Sequence, residues 1–196
     1  NESDLELLTA VSSQVGIALE NARLFHETKT LAITDGMTSL YNHRYFQERF
    51  KEEFERANRY KRPLSLVMMD IDFFKHYNDA HGHPQGDELL RSFSAILKKT
   101  IRDSDIAARY GGEEFVVILP ATGGEWAFAA AERVRKAIET NDFPGGETQP
   151  CGRITVSIGV SSYTEGMSAD ELLKSADNAL YRAKEEGRNR VCKIGA

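Results

Sequence analysis

Arg109-Tyr110-Gly111-Gly112-Glu113-Glu114-Phe115-Val116-Val117-Ile118-Leu119 sets two adjacent carboxylates behind a pair of glycines and ahead of a wholly apolar run. Glycine reaches positive φ at little steric cost and lets a ligand come close to the backbone, so the pair reads as a tight turn. Phe115 to Leu119 reads as a buried strand that holds the turn in place. Upstream, Leu64-Ser65-Leu66-Val67-Met68-Met69-Asp70-Ile71-Asp72 is a second apolar run that ends in carboxylates. If the two strands pair antiparallel, Asp70 and Glu113 face a common cation. Oxygen-only ligands of this kind suit Mg²⁺ or Mn²⁺, which keep several waters and bind phosphates, rather than zinc, which prefers His and Cys. Either motif alone is read most simply as a solvated strand end or an ordinary hairpin. Together they point to a site.

Around these two strands the chain alternates between helical and strand periods. Helices are expected at about 42–61, 73–81, 84–101, 123–140 and 168–187, and strands near 64–72, 105–110, 113–119, 154–162 and 190–194. The order from the first strand is β-α-α-β-β-α-β-α-β, which implies an α+β fold with a mainly antiparallel central sheet and flanking helices. Pro144 to Gly152 is the clearest loop.

Composition narrows the function classes. With 196 residues, 41% of them hydrophobic, the chain can build one full core plus an appendage. A formal charge of -5 argues against a nucleic-acid partner, because such domains usually carry a basic face. No apolar run is long enough to span a bilayer and Asn1 opens no signal-peptide pattern, so no membrane role is expected of this segment and a cytoplasmic location is. Cys151 and Cys192 lack metal-ligand spacing and read as free thiols.

Residues 1–33 read as one helix. Leu8, Val11, Val15, Ala18, Ala22 and Phe25 recur at alternating steps of three and four, the a/d spacing of a coiled-coil seam, so a homodimer through this helix is expected. The simpler reading is an amphipathic helix that packs on its own domain, since about three heptads are marginal as an isolated coil. The expected division is 1–33 as a signalling linker and 34–196 as the globular domain.

The motifs resemble, in order and spacing, those of the GGDEF domain, the diguanylate cyclase family, here in a Gly-Gly-Glu-Glu-Phe form. Asp35-Gly36-Met37-Thr38-Ser39-Leu40-Tyr41-Asn42 is similar to the family's opening motif. Asp70-Ile71-Asp72-Phe73-Phe74-Lys75, then Asn78, His81-Gly82-His83 and Gly86-Asp87 follow. Ser157-Ile158-Gly159-Val160, Ala176-Asp177-Asn178-Ala179-Leu180-Tyr181-Arg182-Ala183-Lys184 and Gly187-Arg188-Asn189 close the series. The resemblance covers roughly residues 34–194 and implies a palm-like, ferredoxin-related fold similar to nucleotidyl cyclases. Ala18 to Leu24 also resembles the last helix of a GAF sensory domain. Two departures, His43 before Arg44 and Gly36 after Asp35, stand away from the expected chemistry.

What the resemblance implies is condensation of two GTP into cyclic di-GMP and two pyrophosphates. Asp70, Glu113 and the Ile71 carbonyl would ligate two divalent ions, Mg²⁺ or Mn²⁺, per active site, with Glu114 close by. Lys75, Lys184 and Arg188 would hold phosphates, helped by the amides of Phe73 and Phe74. Lys184 and Arg188, four residues apart, share a helix face if the helix runs that far. Asp72 shares the face of Asp70 if its strand continues, but the family does not centre metal on it and a structural role is expected. Asn78 and Asp87 would read the base, with His83 also at a substrate-binding position; a carboxylate accepts the two adjacent protons that guanine presents and adenine lacks. His81 is read as a turn residue, and zinc at His81 and His83 as a weak prospect. Arg102 and Asp105 fit the family's Arg-x-x-Asp inhibitory pattern for bound product, with Arg133 and Arg56 as further contacts. Each domain offers one GTP half-site, so turnover would need a homodimer. The alternatives are a catalytically silent cyclic di-GMP or GTP receptor and a purely structural dimerisation module.

Overall fold

The computed structural model describes residues 14–17, 19–21 and 33–194. The chain divides into two units, Asn1–Thr34 and Asp35–Ala196. In the first, residues 14–17 and 19–21 are helical, with Val15, Ile17 and Leu19 exposed. Of the expected seam only Val15 is described; Leu8, Val11, Ala18, Ala22 and Phe25 lie outside the described residues, as does most of the GAF-like segment.

The second unit runs α1 (His43–Tyr60), β1 (Leu64–Ile71), α2 (Phe74–His81), α3 (His83–Thr100), β2 (Ile106–Gly111), β3 (Glu114–Pro120), α4 (Gly124–Glu139), a 3₁₀ turn at Gly146–Thr148, β4 (Val156–Ser162), α5 (Ala169–Glu185) and β5 (Val191–Ile194). The helix starts are chemically marked. The side chain of Asn42 accepts from the Tyr45 amide to cap α1, and Ser168 with Glu171 forms a capping box on α5.

The sheet order is β2-β3-β1-β4-β5, antiparallel throughout except for the β4–β5 pair, so the expected mixed α+β architecture holds. Every residue of β1 is buried because the strand is central and helices cover both faces. Leu64, Leu66 and Met68 pack with α1 and α5 on one face. Val67, Met69 and Ile71 pack with α2, α3 and α4 on the other. The period-two alternation of β1 thus divides its side chains between two apolar layers. Gly159 on β4 sets how closely α5 approaches: a Cβ there would lie 2.2 Å from the Ala176 carbonyl oxygen and the Leu180 nitrogen.

This framework brings the end of β1, the β2–β3 turn, the start of α2 and the end of α5 to one edge of the sheet. Two ends differ from expectation. β1 stops at Ile71, short of Asp72, and α5 stops at Glu185, short of Arg188.

Candidate active site

The antiparallel register of β1 and β3 places Asp70 opposite Glu114, and the Ile71 amide donates to the Glu113 carbonyl at 3.3 Å. Directly opposed residues of an antiparallel pair share a sheet face, so Glu114 is the acid facing Asp70, with Glu113 next to it on the turn. The sequence pointed to Glu113 for that position.

Asp70 is 8% exposed, and Lys184 Nζ lies 2.7 Å from its Oδ2. Burial raises the Asp70 carboxyl above the usual carboxylate range; Lys184 pulls the other way, and the charges of Glu114 and Asp72 add to the rise. Burial and the charge of Asp70 likewise raise Glu113, again opposed by Lys184. The edge therefore holds more negative charge than its own cation balances.

Asp72 takes no part in that crowd as a ligand. Its carboxylate accepts from Thr155 Oγ1 at 2.7 Å, Ser157 Oγ at 2.6 Å and the Asn189 amide at 3.0 Å, and the residue is 2% exposed. Because β1 ends at Ile71, Asp72 does not continue the strand face of Asp70. It ties the loop after α5 to β4.

The donors that could hold a metal are the carboxylates of Asp70 and Glu113 with the Ile71 carbonyl, all hard oxygens. Among the described residues, no group of three His, Cys, Asp or Glu side chains forms a ready metal cage. A set this small fits Mg²⁺ or Mn²⁺ bound jointly with phosphate oxygens and water, and does not fit a dedicated all-protein site.

The phosphate-binding candidates converge, by a different route from the one expected for Arg188. It does not extend the helical face of Lys184: Arg188 and Asn189 have φ of 62° and 46°, so the chain turns left-handed past α5. That turn sets the Arg188 guanidinium over the Phe73 ring, 4.6 Å from its centroid. Phe73 is itself left-handed, at φ 57°, and precedes α2 with no side-chain cap on the helix. An aromatic residue at positive φ is uncommon, and such backbone clusters at ligand sites. Lys75 is exposed on the first turn of α2.

Asn78 on α2 and Asp87 on α3 flank the break at Gly82, which has φ 82°. Asn78 Oδ1 is buried and has no hydrogen-bond partner among the described residues. It has room because residue 86 is glycine: a Cβ there would sit 1.9 Å from Asn78 Oδ1. His83 is exposed at the start of α3. His81 shares a hydrogen bond with Thr148 Oγ1 at 2.9 Å, fastening the 3₁₀ turn to the end of α2.

With this arrangement in place, a comparison of families decides the assignment: the family described as "Diguanylate cyclase, GGDEF domain" matches residues 32–190. The chain belongs to the GGDEF family. It is 41% identical over 191 residues to Diguanylate cyclase A of Treponema denticola, covering 94% of this chain and 49% of that protein. Response regulator PleD of Caulobacter vibrioides is 43% identical over 162 residues, covering 82% and 36%. The chain thus spans half or less of the curated relatives it matches. The coiled coil and GGDEF domain of DgcB from Caulobacter crescentus, solved in complex with c-di-GMP, superposes with a TM-score of 0.83 at 28% identity, covering 96% of this chain and 99% of that one.

In this GGDEF domain the Arg-x-x-Asp residues form a turn after α3. The Arg102 amide donates to Asp105 Oδ2 at 2.9 Å, and the Asp105 amide donates to the Arg102 carbonyl at 3.0 Å. Arg133 on α4 donates twice to the Thr100 carbonyl, at 3.2 Å each, which brings its guanidinium to the same end of α3. Arg56 is not brought to them. It pairs with Glu53 on α1, in the opposite helical layer.

Sequence reading missed two contributors to the GGDEF site. Arg109, to which the motif assigns no role, holds the turn: its Nε and Nη2 donate to the Gly112 carbonyl at 3.0 and 2.7 Å. Tyr110 packs edge-on against the His43 ring at 4.7 Å and against Phe46 at 5.6 Å, so the departure at His43 buttresses the same hairpin.

Proposed function

We propose that this domain is a diguanylate cyclase that condenses two GTP molecules across a homodimer. The observation that carries the reading is the register of β1 and β3, which sets Asp70 against the Glu113–Glu114 turn with Lys184 on the same edge. In each of two steps the 3′-oxygen of one GTP bonds to the α-phosphorus of the other and the bond to the β-phosphate oxygen breaks. Pyrophosphate leaves and the 3′-hydroxyl gives up its proton. Asp70, Glu113 and the Ile71 carbonyl would hold two Mg²⁺ or Mn²⁺ ions, which when bound would supply charge neutralisation at the reacting oxygens. Lys184, Arg188, Lys75 and the amides of Phe73 and Phe74 neutralise and orient the triphosphate. Glu113, on the turn beside the Ile71 amide that its own carbonyl accepts from, receives the hydroxyl proton.

Asn78 and Asp87 read guanine, and His83 borders the pocket. Asn78 Oδ1 meets a base N–H donor, while Asp87 accepts the two adjacent protons that adenine lacks. Arg102 and Asp105, with Arg133 beside them, bind cyclic di-GMP as an inhibitor, and Arg56 supplies a further contact to it. Residues 1–33 act as the signalling linker, the end of a GAF-like sensor, through which two copies pair. The domain works in the bacterial cytoplasm, where GTP is present. Among the described residues no helix is long and apolar enough to cross a membrane.

The test is incubation with GTP and Mg²⁺, with nucleotides resolved by chromatography, beside a Glu113→Gln sample. Cyclic di-GMP from the unsubstituted chain alone supports the reading. No product at high protein concentration, with tight cyclic di-GMP binding, moves the domain to the receptor class. Asp87→Ser tests base choice, and an unchanged preference for GTP over ATP sinks that assignment.

A further inference from the structure

We propose that Lys184 is a built-in counter-ion for Asp70, one that withholds the carboxylate from a divalent metal arriving alone and yields it to a metal arriving with a triphosphate. The inference rests on the metal reading above and adds an order to it: metal and nucleotide bind as a coupled pair, and Lys184 is the residue that couples them.

The geometry is specific. Lys184 Nζ lies 2.7 Å from Asp70 Oδ2, with the Asp70 side chain 11% exposed and that of Lys184 31% exposed. The charges that act on Asp70 are those of Glu114 at the turn, Asp72 just past β1 and Lys184 on α5, and Asp70 in turn acts on Glu113. Asp72 is already committed to Thr155, Ser157 and Asn189. A carboxylate this buried, beside other carboxylates, needs a cation to remain charged, and Lys184 supplies it.

A metal ion cannot coordinate Asp70 at close range while an ammonium remains at hydrogen-bond distance from the same carboxylate, because the two cations repel. It must displace Lys184. The return for that displacement is small when the metal comes alone, since two carboxylates and one carbonyl leave most of its coordination to water. A triphosphate changes both sides of the exchange: its oxygens complete the metal's shell, and its charge gives the displaced ammonium a new partner. Lys184 is placed for the transfer. It stands in the last turn of α5 on a flexible four-carbon stem, four residues before Arg188, whose guanidinium lies on Phe73 at the start of α2. Linkage then requires that the metal tighten nucleotide binding by the factor by which nucleotide tightens metal binding.

The experiment measures Mn²⁺ binding to the full chain at pH 8 from the electron paramagnetic resonance signal of the free ion. It is run with and without α,β-methylene GTP, for the unsubstituted chain, Lys184→Met and Lys184→Gln. Thermal melts establish that each variant is folded. Without nucleotide, both variants are expected to bind Mn²⁺ at least about tenfold tighter than the unsubstituted chain, because the competing charge is gone. The tightening of Mn²⁺ binding by nucleotide should shrink by at least about tenfold as well, because the affinity without nucleotide rises while Lys184 no longer opposes the metal in either state. Adding Asp70→Asn to Lys184→Met should abolish the gain. Mn²⁺ affinity without nucleotide that is unchanged or weaker in both folded variants overturns the counter-ion role. If Asp70→Asn in the unsubstituted background leaves Mn²⁺ binding unaltered even with the nucleotide, the metal site itself is misassigned, and the inference falls with it for that separate reason.

Discussion

Arg109 extends Nη1 to within 3.4 Å of both carboxylate oxygens of Asp35 while its other two nitrogens hold the Gly112 carbonyl. Asp35 in turn accepts from the Thr38 amide at 2.9 Å and the Thr38 hydroxyl at 2.7 Å. One guanidinium therefore joins the turn that opens the domain to the turn that carries the acids. Its planar fork serves two acceptors at once, which a lysine ammonium does not reproduce with the same geometry.

Arg109→Lys is accordingly expected to keep the fold and the charge but loosen the Gly111–Gly112 turn. Cyclase turnover should fall by about ten- to a hundredfold, the scale on which small misplacements of reacting groups act, with a smaller change in KM for GTP. Steady-state kinetics beside a melting curve check this. Unaltered kcat would show that the turn holds its shape without the fork.

The raised proton affinity of Glu113 makes a statement about stability. Burial and the Asp70 charge lift its carboxyl above the ordinary 4.5, so the folded state holds that proton more tightly than the unfolded chain does. The folded state is then penalised above the folded pKa, where the group is charged, and the penalty disappears below the unfolded value. Glu113→Gln should raise the thermal midpoint by about 1–3 °C at pH 7.5 and have almost no effect near pH 4, while abolishing synthesis. Calorimetry at the two pH values decides it; a gain that persists at acid pH would point to packing in place of charge.

At Gly86 the argument is steric. Alanine normally stabilises a helix interior relative to glycine by up to about 1 kcal/mol, but here its Cβ would overlap Asn78 Oδ1. Gly86→Ala should push the Asn78 amide away from its buried position, raising KM for GTP roughly tenfold, the equivalent of about one hydrogen bond to the base. The domain should remain folded. Isothermal titration with a non-hydrolysable GTP analogue measures the loss, and full affinity in Gly86→Ala would remove Asn78 from the base-reading assignment.

Asp72 is expected to behave as a structural residue. Asp72→Ala leaves the hydroxyls of Thr155 and Ser157 and the Asn189 amide without their acceptor in a buried setting, at a cost of about 3 kcal/mol or more. Chemical denaturation should show that loss as a lower midpoint with an unchanged slope. Destabilisation below about 1 kcal/mol would mean that water replaces the carboxylate.

The type and order of the elements were legible in the sequence because periodicity and caps are local properties. The continuous apolar runs of β1 and β3 are written within the residues that form them. The acidic cluster was legible too, since one strand that ends in carboxylates and one that begins with them leave few arrangements in an antiparallel sheet. Tertiary structure decided which acid faces which. A shift of one residue in strand register exchanges the two faces of a strand, and this register seats Glu114 opposite Asp70 and leaves Glu113 on the turn. It also decided the contacts between residues far apart in the chain: Arg109 with Asp35, 74 residues away, and Asp72 with Thr155, 83 away. The pairing of Lys184 with Asp70 and the left-handed turn that carries Arg188 to Phe73 belong with them. Local propensity carries no information about such pairs. They exist because α5 crosses the sheet at Gly159 and ends beside β1, and that placement follows from packing the whole core.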